Sequence, residues 1–168
     1  MLALRQPYPG WLGLAPCPAR RSLRHTSAYS RRGELNERLE DLRRRLEAAN
    51  LYHATLGVRV VSLEEGIAEV LLPFRRENTQ QSGVLQGGFL TVVADAAMTY
   101  AIQTRLAPDR SLTTVDLQIA FLAAVRDGDV RARGRVVRLG RTLAFAEADL
   151  LAPDGTLVAR ASSTSRLF

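Results

Sequence analysis

The chain has 168 residues, 46% of them hydrophobic and 24% charged, which suits one domain with a sizeable core and excludes a two-domain enzyme or a wholly disordered chain. One cysteine (Cys17) and two histidines (His25, His53) exclude an internal disulfide and a multi-cysteine zinc site, and no apolar run approaches the roughly 18 residues that a membrane-spanning helix needs. The net charge of +6 would suit nucleic acid, yet residues 1–33 hold six arginines and no acid while the remaining 17 arginines face 17 acids, so the excess lies wholly in the leader.

Residues 1–33 mix four prolines, three glycines, Trp11 and scattered arginines without a period of 3.6 or 2. They read as a disordered basic tail or a presequence, ahead of a single domain over 34–168. An acid-free, arginine-rich leader resembles a mitochondrial transit peptide; without such an address the expected compartment is the cytoplasm, with no nucleic acid and no membrane as partners. From Glu34 to Asn50, Leu35, Leu39, Leu42, Leu46 and Ala49 recur every three or four residues, predicting an amphipathic helix whose Arg43–Arg45 run is a solvated face. Thr55–Leu63 and Gly66–Phe74 predict a hairpin around Glu64 and Glu65. Gly88–Leu106 is the longest apolar helix candidate, and its stripe of Ala94, Ala97 and Ala101 would let it lie close against another surface.

Four strands follow, over 111–122, 129–139, 142–151 and 156–166, broken by Asp127-Gly128, Gly140 and Pro153-Asp154-Gly155. Alternation puts Thr113, Val115, Leu117, Ile119 and Phe121 on the side facing the helix. A three-residue loop around Gly140 would set Arg133 opposite Glu147 and Arg131 opposite Asp149, a register the charges favour. The sum is an α+β domain, one long central helix wrapped by a curved, mainly antiparallel sheet.

Chemistry concentrates between Asn78 and Tyr100. Gly87 and Gly88 stand where loop becomes helix, leaving backbone N–H groups unobstructed at the positive end of the helix dipole, an arrangement suited to a developing oxyanion and equally to a tight turn. Asp95 is a carboxylate within an alanine-rich apolar helix, where desolvation is costly unless the group is used or paired with an arginine. Thr99 shares its face one turn later and could orient it or a water. Gly87 and Asp95 are eight residues apart, roughly 12 Å along a single helix, so one carbonyl cannot touch both. If both act on one substrate, each must come from a different chain, and the site needs two antiparallel helices meeting across a dimer.

The segment Gly83-Val84-Leu85-Gln86-Gly87-Gly88, Asp95 nine positions after Gln86, the strand from Thr113, Gly128-Asp129, Val136–Thr142 and Asp154-Gly155 together resemble the PaaI-type acyl-CoA thioesterases of the hotdog fold, over about Leu46–Phe168. The resemblance implies acyl-CoA as substrate, hydrolysis to free CoA and a carboxylic acid, a homodimer or homotetramer, and neither metal nor organic cofactor. Position by position it implies Asp95 as nucleophile or general base and the Gly87 amide of the partner chain as oxyanion donor. Thr113 would help position water, Gln80 would stand near the thioester, and Thr99 would neighbour the carboxylate. Gln86 departs from a position often held by histidine, so an imidazole is not on offer there, although its amide can still donate. Gly88 extends the donor loop, Phe89 and Met98 would line the acyl group, and Arg138 and Arg141 would meet the CoA phosphates. A hydratase of the same fold would need a histidine that neither His25 nor His53 evidently supplies. A non-catalytic acyl-CoA binding or sensor protein is the rival of a different class.

Overall fold

The computed structural model describes residues 28–168, with side chains from residue 32 onward; the readings placed on the leader, including Cys17 and His25, fall outside it. Along the chain run α1 (Ala28–Ala49), α2 (Leu51–Leu56), β1 (Arg59–Glu64), β2 (Ile67–Leu72), a 3-10 turn (Arg76–Asn78), α3 (Gly87–Gln103), β3 (Leu112–Phe121), β4 (Val130–Leu139), β5 (Leu143–Leu151) and β6 (Leu157–Leu167). The strands form one six-stranded antiparallel sheet in the order β1-β2-β4-β5-β6-β3, packed around α3. This is the α+β arrangement expected from the sequence.

Two boundaries differ by more than three residues, and α3 ends at Gln103, three residues before the expected Leu106. Helix α1 begins six residues before Glu34, because the packing of Leu39, Leu42 and Leu46 nucleates a helix that then propagates backwards through residues that do not oppose it. Leu51–Leu56 forms a helical turn where the start of a strand was expected; Gly57 ends it in the left-handed region (φ 71°), and β1 starts only at Arg59. A six-residue apolar stretch fits either period, and the contacts of His53 and Tyr52 with α3 decide for the helix.

The small-residue stripe does what its spacing predicts. Ala94, Ala97 and Ala101 are fully buried, and Ala97 lies directly over Gly134 of β4. The C-terminus of α3 is capped from afar: Arg38 of α1 donates to the carbonyls of Thr104 (2.6 Å) and Leu106 (3.0 Å). The buried Thr104 hydroxyl donates to Ala101 O (2.6 Å) and accepts the N–H of Gly66 (2.7 Å), tying the β1–β2 turn to the helix end. Thr104→Val keeps the shape but strands that N–H, so stability should fall by about 1–3 kcal/mol, read as a lower urea midpoint at unchanged slope; an unchanged midpoint would refute the tie.

The β4–β5 register also needs correcting. The turn holds two residues, with Gly140 N–H donating to Leu143 O (2.8 Å). A bulge at Val137 then shifts the pairing, so Arg133 faces Asp149, Arg135 faces Glu147 and Arg131 faces Leu151. Without the bulge the tight turn would set the arginines against alanine and leucine; the extra residue returns them to acidic neighbours. The ion pairs then run across several strands: Arg131 and Arg133 reach Glu69 of β2, Arg135 pairs with Glu147, and Arg160 with Asp149. All of these arginines are exposed, so each pair contributes less than about 1 kcal/mol.

A second bulge, at Val115, changes the phase of β3. Beyond it Leu117 and Ile119 pack on the core and Phe121 meets Gly87, as alternation predicts. Before it the phase is reversed: Leu112 and Thr114 turn inward, while Thr113 and Val115 are exposed. Among the described residues no helix is long and apolar enough to cross a membrane, and no cluster of His, Cys, Asp and Glu could hold a metal ion.

Candidate active site

Four backbone bonds fix the loop that enters α3. Gln80 and Gly83 close a tight turn, Gln80 N–H donating to Val84 O (2.8 Å) and Gly83 N–H to Gln80 O (2.8 Å), with Gly83 at φ 72° where a side chain would be strained. Leu85 N–H then donates to Val125 O (2.8 Å) and Gln86 N–H to Asn78 O (2.9 Å). Gly87 and Gly88 follow as the first two helical residues, whose N–H groups helix geometry leaves without an intrahelical acceptor. Gln86 occupies the N-cap in extended geometry, and its exposed side chain makes no capping bond, so the amide is not consumed in holding the loop. Gln80, Gln86 and Gly87 open together onto a cleft of about 390 Å³ walled by Leu90, Phe121 and Val125. The sequence-predicted donor loop is therefore one surface.

Asp95 lies two turns further along α3, half-buried, and its Oδ1 accepts a hydrogen bond from Thr114 Oγ1 at 2.8 Å. None of the ion pairs among the described residues includes it, so the alternative of a structural aspartate paired with an arginine does not hold here. The expectation that Thr113 stands beside this carboxylate is corrected: the Val115 bulge turns Thr113 outward and brings Thr114 in. Thr99 is close but engaged differently, giving its proton to the backbone carbonyls of Asp95 (2.8 Å) and Ala96 (3.1 Å) rather than to the carboxylate.

The remaining candidates separate. Phe89 is half-buried against the core, while Met98 is fully buried and is a core residue of the single chain, not a lining residue of an open pocket. Arg138 borders a shallow groove with Val137, Phe145 and Glu147. Arg141 lies exposed in the β4–β5 turn, its carbonyl accepting from Arg110 (2.9 Å). Because Thr113 and Leu143 both pair with Arg166, that turn sits at the Thr113 end of β3, the end opposite to the Gly87 loop of the same chain.

Sequence reasoning missed one group. Tyr100, five residues beyond Asp95, carries its hydroxyl 2.7 Å from Tyr52 Oη and 2.7 Å from His53 Nε2. Burial pushes both phenols above their ordinary pKa, with Asp95 adding to the rise, and burial pushes His53 below its own, only partly offset by Glu47. His53, not evidently a partner from the sequence, thus packs against the helix that carries the carboxylate. Nothing in a period or a spacing joins residues 52 and 100; only packing does.

Comparison with known proteins agrees with this fold. Residues 82–159 match the family model of the thioesterase superfamily. A thioesterase family protein from Silicibacter pomeroyi superposes with TM-score 0.72 at 31% identity, covering 77% of this chain and 98% of that one. A mutant of the phenylacetic acid degradation protein PaaI from Thermus thermophilus superposes with TM-score 0.64 at 27% identity, over 70% of this chain and 98% of that one. The 1,4-dihydroxy-2-naphthoyl-CoA hydrolase of Listeria monocytogenes is 28% identical over 88 residues, 52% of this chain and 72% of that protein. With the six-stranded sheet wrapped around α3, these likenesses place the chain in the thioesterase superfamily, as a PaaI-like member with the hotdog fold.

Proposed function

We propose that the protein hydrolyses acyl-CoA thioesters in a homodimer whose sites are each shared between two chains. The observation that carries this is the alignment of α3 with the edge of the sheet: Asp95 stands level with Thr114, and Gly87 level with Phe121. Strand β3 is that edge, ten residues long and, among the described residues, unpaired on its outer side, and Val115 (64% exposed), Phe121 (54%) and the adjoining Leu122 (57%) leave apolar surface along it. A second copy pairing antiparallel about a two-fold axis between Leu117 and Gln118 would set Thr114 of one chain beside Phe121 of the other. The same operation brings the Gly87 loop of each chain to the Asp95 of its partner. It removes the roughly 12 Å that separates the two groups within one helix.

In such a site the Gly87 N–H, with that of Gly88 behind it, polarises the thioester carbonyl and takes the charge that develops on its oxygen. Asp95 attacks the carbonyl carbon itself or draws a proton from a water that does, and Thr114 holds the carboxylate in place. The thiolate of CoA is a good leaving group, so no separate general acid is required. Gln80 and Gln86 supply amide donors at the mouth of the cleft, and Phe89 flanks the acyl group. The partner's β4–β5 turn would put Arg141, and Arg138 beside it, toward the CoA phosphates.

The shared site has a direct test. Gly87→Pro removes the donor at the first helical position, where proline is tolerated, and Gln86 at ψ 127° already has the geometry that a residue preceding proline needs. Asp95→Asn removes the other half. Each homodimer should be inactive, whereas a heterodimer of the two keeps one intact site and should show about half of the wild-type thiol release. Mixtures no more active than their parents would overturn the two-chain site.

A further inference from the structure

Gly87 and Gly88 open α3 side by side, yet only one of them has a steric reason to be glycine. Neither lies in the left-handed region that Gly83 occupies, so the backbone would accept another residue at both. A Cβ on Gly88 meets nothing within 4 Å, whereas a Cβ on Gly87 falls 3.0 Å from Cζ and 3.1 Å from Cε1 of Phe121, closer than van der Waals contact allows. The three atoms nearest to that position all belong to Phe121, so its ring fills the space that a side chain at 87 would take. Core packing does not explain the contact, because Phe121 ends β3 at the edge of the sheet and is exposed. Its backbone is firmly held: Phe121 pairs with Ala159 of β6, and Leu122 N–H donates to Val158 O (2.9 Å). The same stretch reaches the donor loop a second time, where Leu85 N–H donates to Val125 O (2.8 Å), and ring and loop together wall the cleft onto which Gln86 and Gly87 open.

What the ring does follows from what the helix end lacks. The N–H of Gly87 has no intrahelical acceptor, Gln86 makes no side-chain capping bond, and glycine is the residue whose backbone is freest to move. A donor that stabilises a developing charge works by being fixed beforehand, so the support has to come from outside the helix. We propose that Phe121 is a positioning residue for the Gly87 donor, its ring packed over the glycine Cα so that the amide is held at a fixed height above the end of β3 and water is kept from that side. This rests on the reading of Gly87 as oxyanion donor given under the proposed function. In the two-fold pairing described there the same ring stands beside Thr114 of the partner subunit, so one side chain ties the donor of one chain to the support of the carboxylate in the other.

The test separates the ring from the donor. Phe121→Ala removes the ring, whereas Gly87→Ala keeps the N–H and pushes the ring aside, which its exposed position allows without unfolding. With thiol release measured on acetyl-CoA and octanoyl-CoA, each variant should lower kcat about tenfold at nearly unchanged KM and by the same factor on both thioesters. The double variant should also lose about tenfold, because both changes break one contact. Phe121→Tyr, which keeps the ring, should restore most of the rate, and Phe121→Leu, which keeps only apolar bulk at the edge, should not. Losses that multiply to about a hundredfold in the double variant, losses that differ between the two thioesters, or full activity in Phe121→Leu overturn the proposal. Should sedimentation show that Phe121→Ala dissociates, the cycle is run with Phe121→Leu, and a rate that falls only in dissociated variants overturns it as well. The Gly87 amide gives a readout that needs no turnover: its nitrogen-15 order parameter should fall from about 0.85 to below about 0.6 in Phe121→Ala, and an unchanged value overturns the proposal. If the order parameter falls but the wild type releases no thiol from either thioester, the hydrolase reading fails and the positioning by Phe121 stands.

Discussion

Asp95→Asn should lower thiol release from acyl-CoA by about a thousandfold without changing the unfolding midpoint. The size follows from what the carboxylate does. A positioned base or nucleophile contributes roughly two to four orders of magnitude, and asparagine keeps the volume and an oxygen acceptor for Thr114 while giving up the charge and the basicity. The fold has no stake in that charge, because no arginine pairs with it among the described residues. A companion pair of variants locates the supporting hydroxyl. Thr114→Val removes a bond to a carboxylate and should cost about tenfold to a hundredfold in turnover, whereas Thr113→Val, on the exposed side of the strand, should cost little. A variant at Asp95 that retains a tenth or more of the wild-type rate would refute its assigned role, and the reverse order of the two threonines would refute the bulged geometry of β3.

Gly134→Ala should be the most damaging alanine substitution among the described glycines. A Cβ built on Gly134 falls on the backbone carbonyl of Ala97 and near the N of Met98, so the added group meets the helix itself and not the far end of a flexible side chain. Relief requires lifting α3 from β4 at the centre of the core, where Ala97, Met98 and Ala132 are fully buried. A loss exceeding about 3 kcal/mol is expected, as a large fall in the denaturant midpoint or as failure to accumulate folded protein. Gly155→Ala supplies the comparison: open space surrounds it, and its cost is confined to a backbone φ of 86°. Equal midpoints for Gly134→Ala and the wild type would mean that the helix does not sit where its alanine stripe places it.

These two positions mark what could and could not be read from residues in order. Asp95 stands out in one dimension, because a carboxylate within a run of alanines and valines contradicts its surroundings, and the alanine stripe announces a close approach. Gly134 does not stand out, since a glycine between two arginines in a strand carries no sign that a helix lies on it. Strand periods, turn residues and the glycine loop before α3 were legible for the same reason as Asp95: each is fixed by local sterics and by alternation that a short segment expresses on its own.

What needed the folded chain was the phase of individual strands and the meeting of distant side chains. A bulge costs one residue of pairing and is repaid only by partners on neighbouring strands, so neither Val115 nor Val137 advertises itself, yet the first exchanges Thr113 for Thr114 at the carboxylate and the second returns Arg133 and Arg135 to acidic neighbours. His53 and Tyr100, 47 residues apart, have no pattern in common. The sequence by itself thus determined the architecture, the helix that bears the carboxylate and the loop that bears the donors, because hydrophobic period and backbone preference act within a few residues. Only the tertiary structure decided which hydroxyl supports Asp95 and which imidazole meets Tyr100 of the same helix, because hydrogen-bond partners are chosen by packing across the fold and not along the chain.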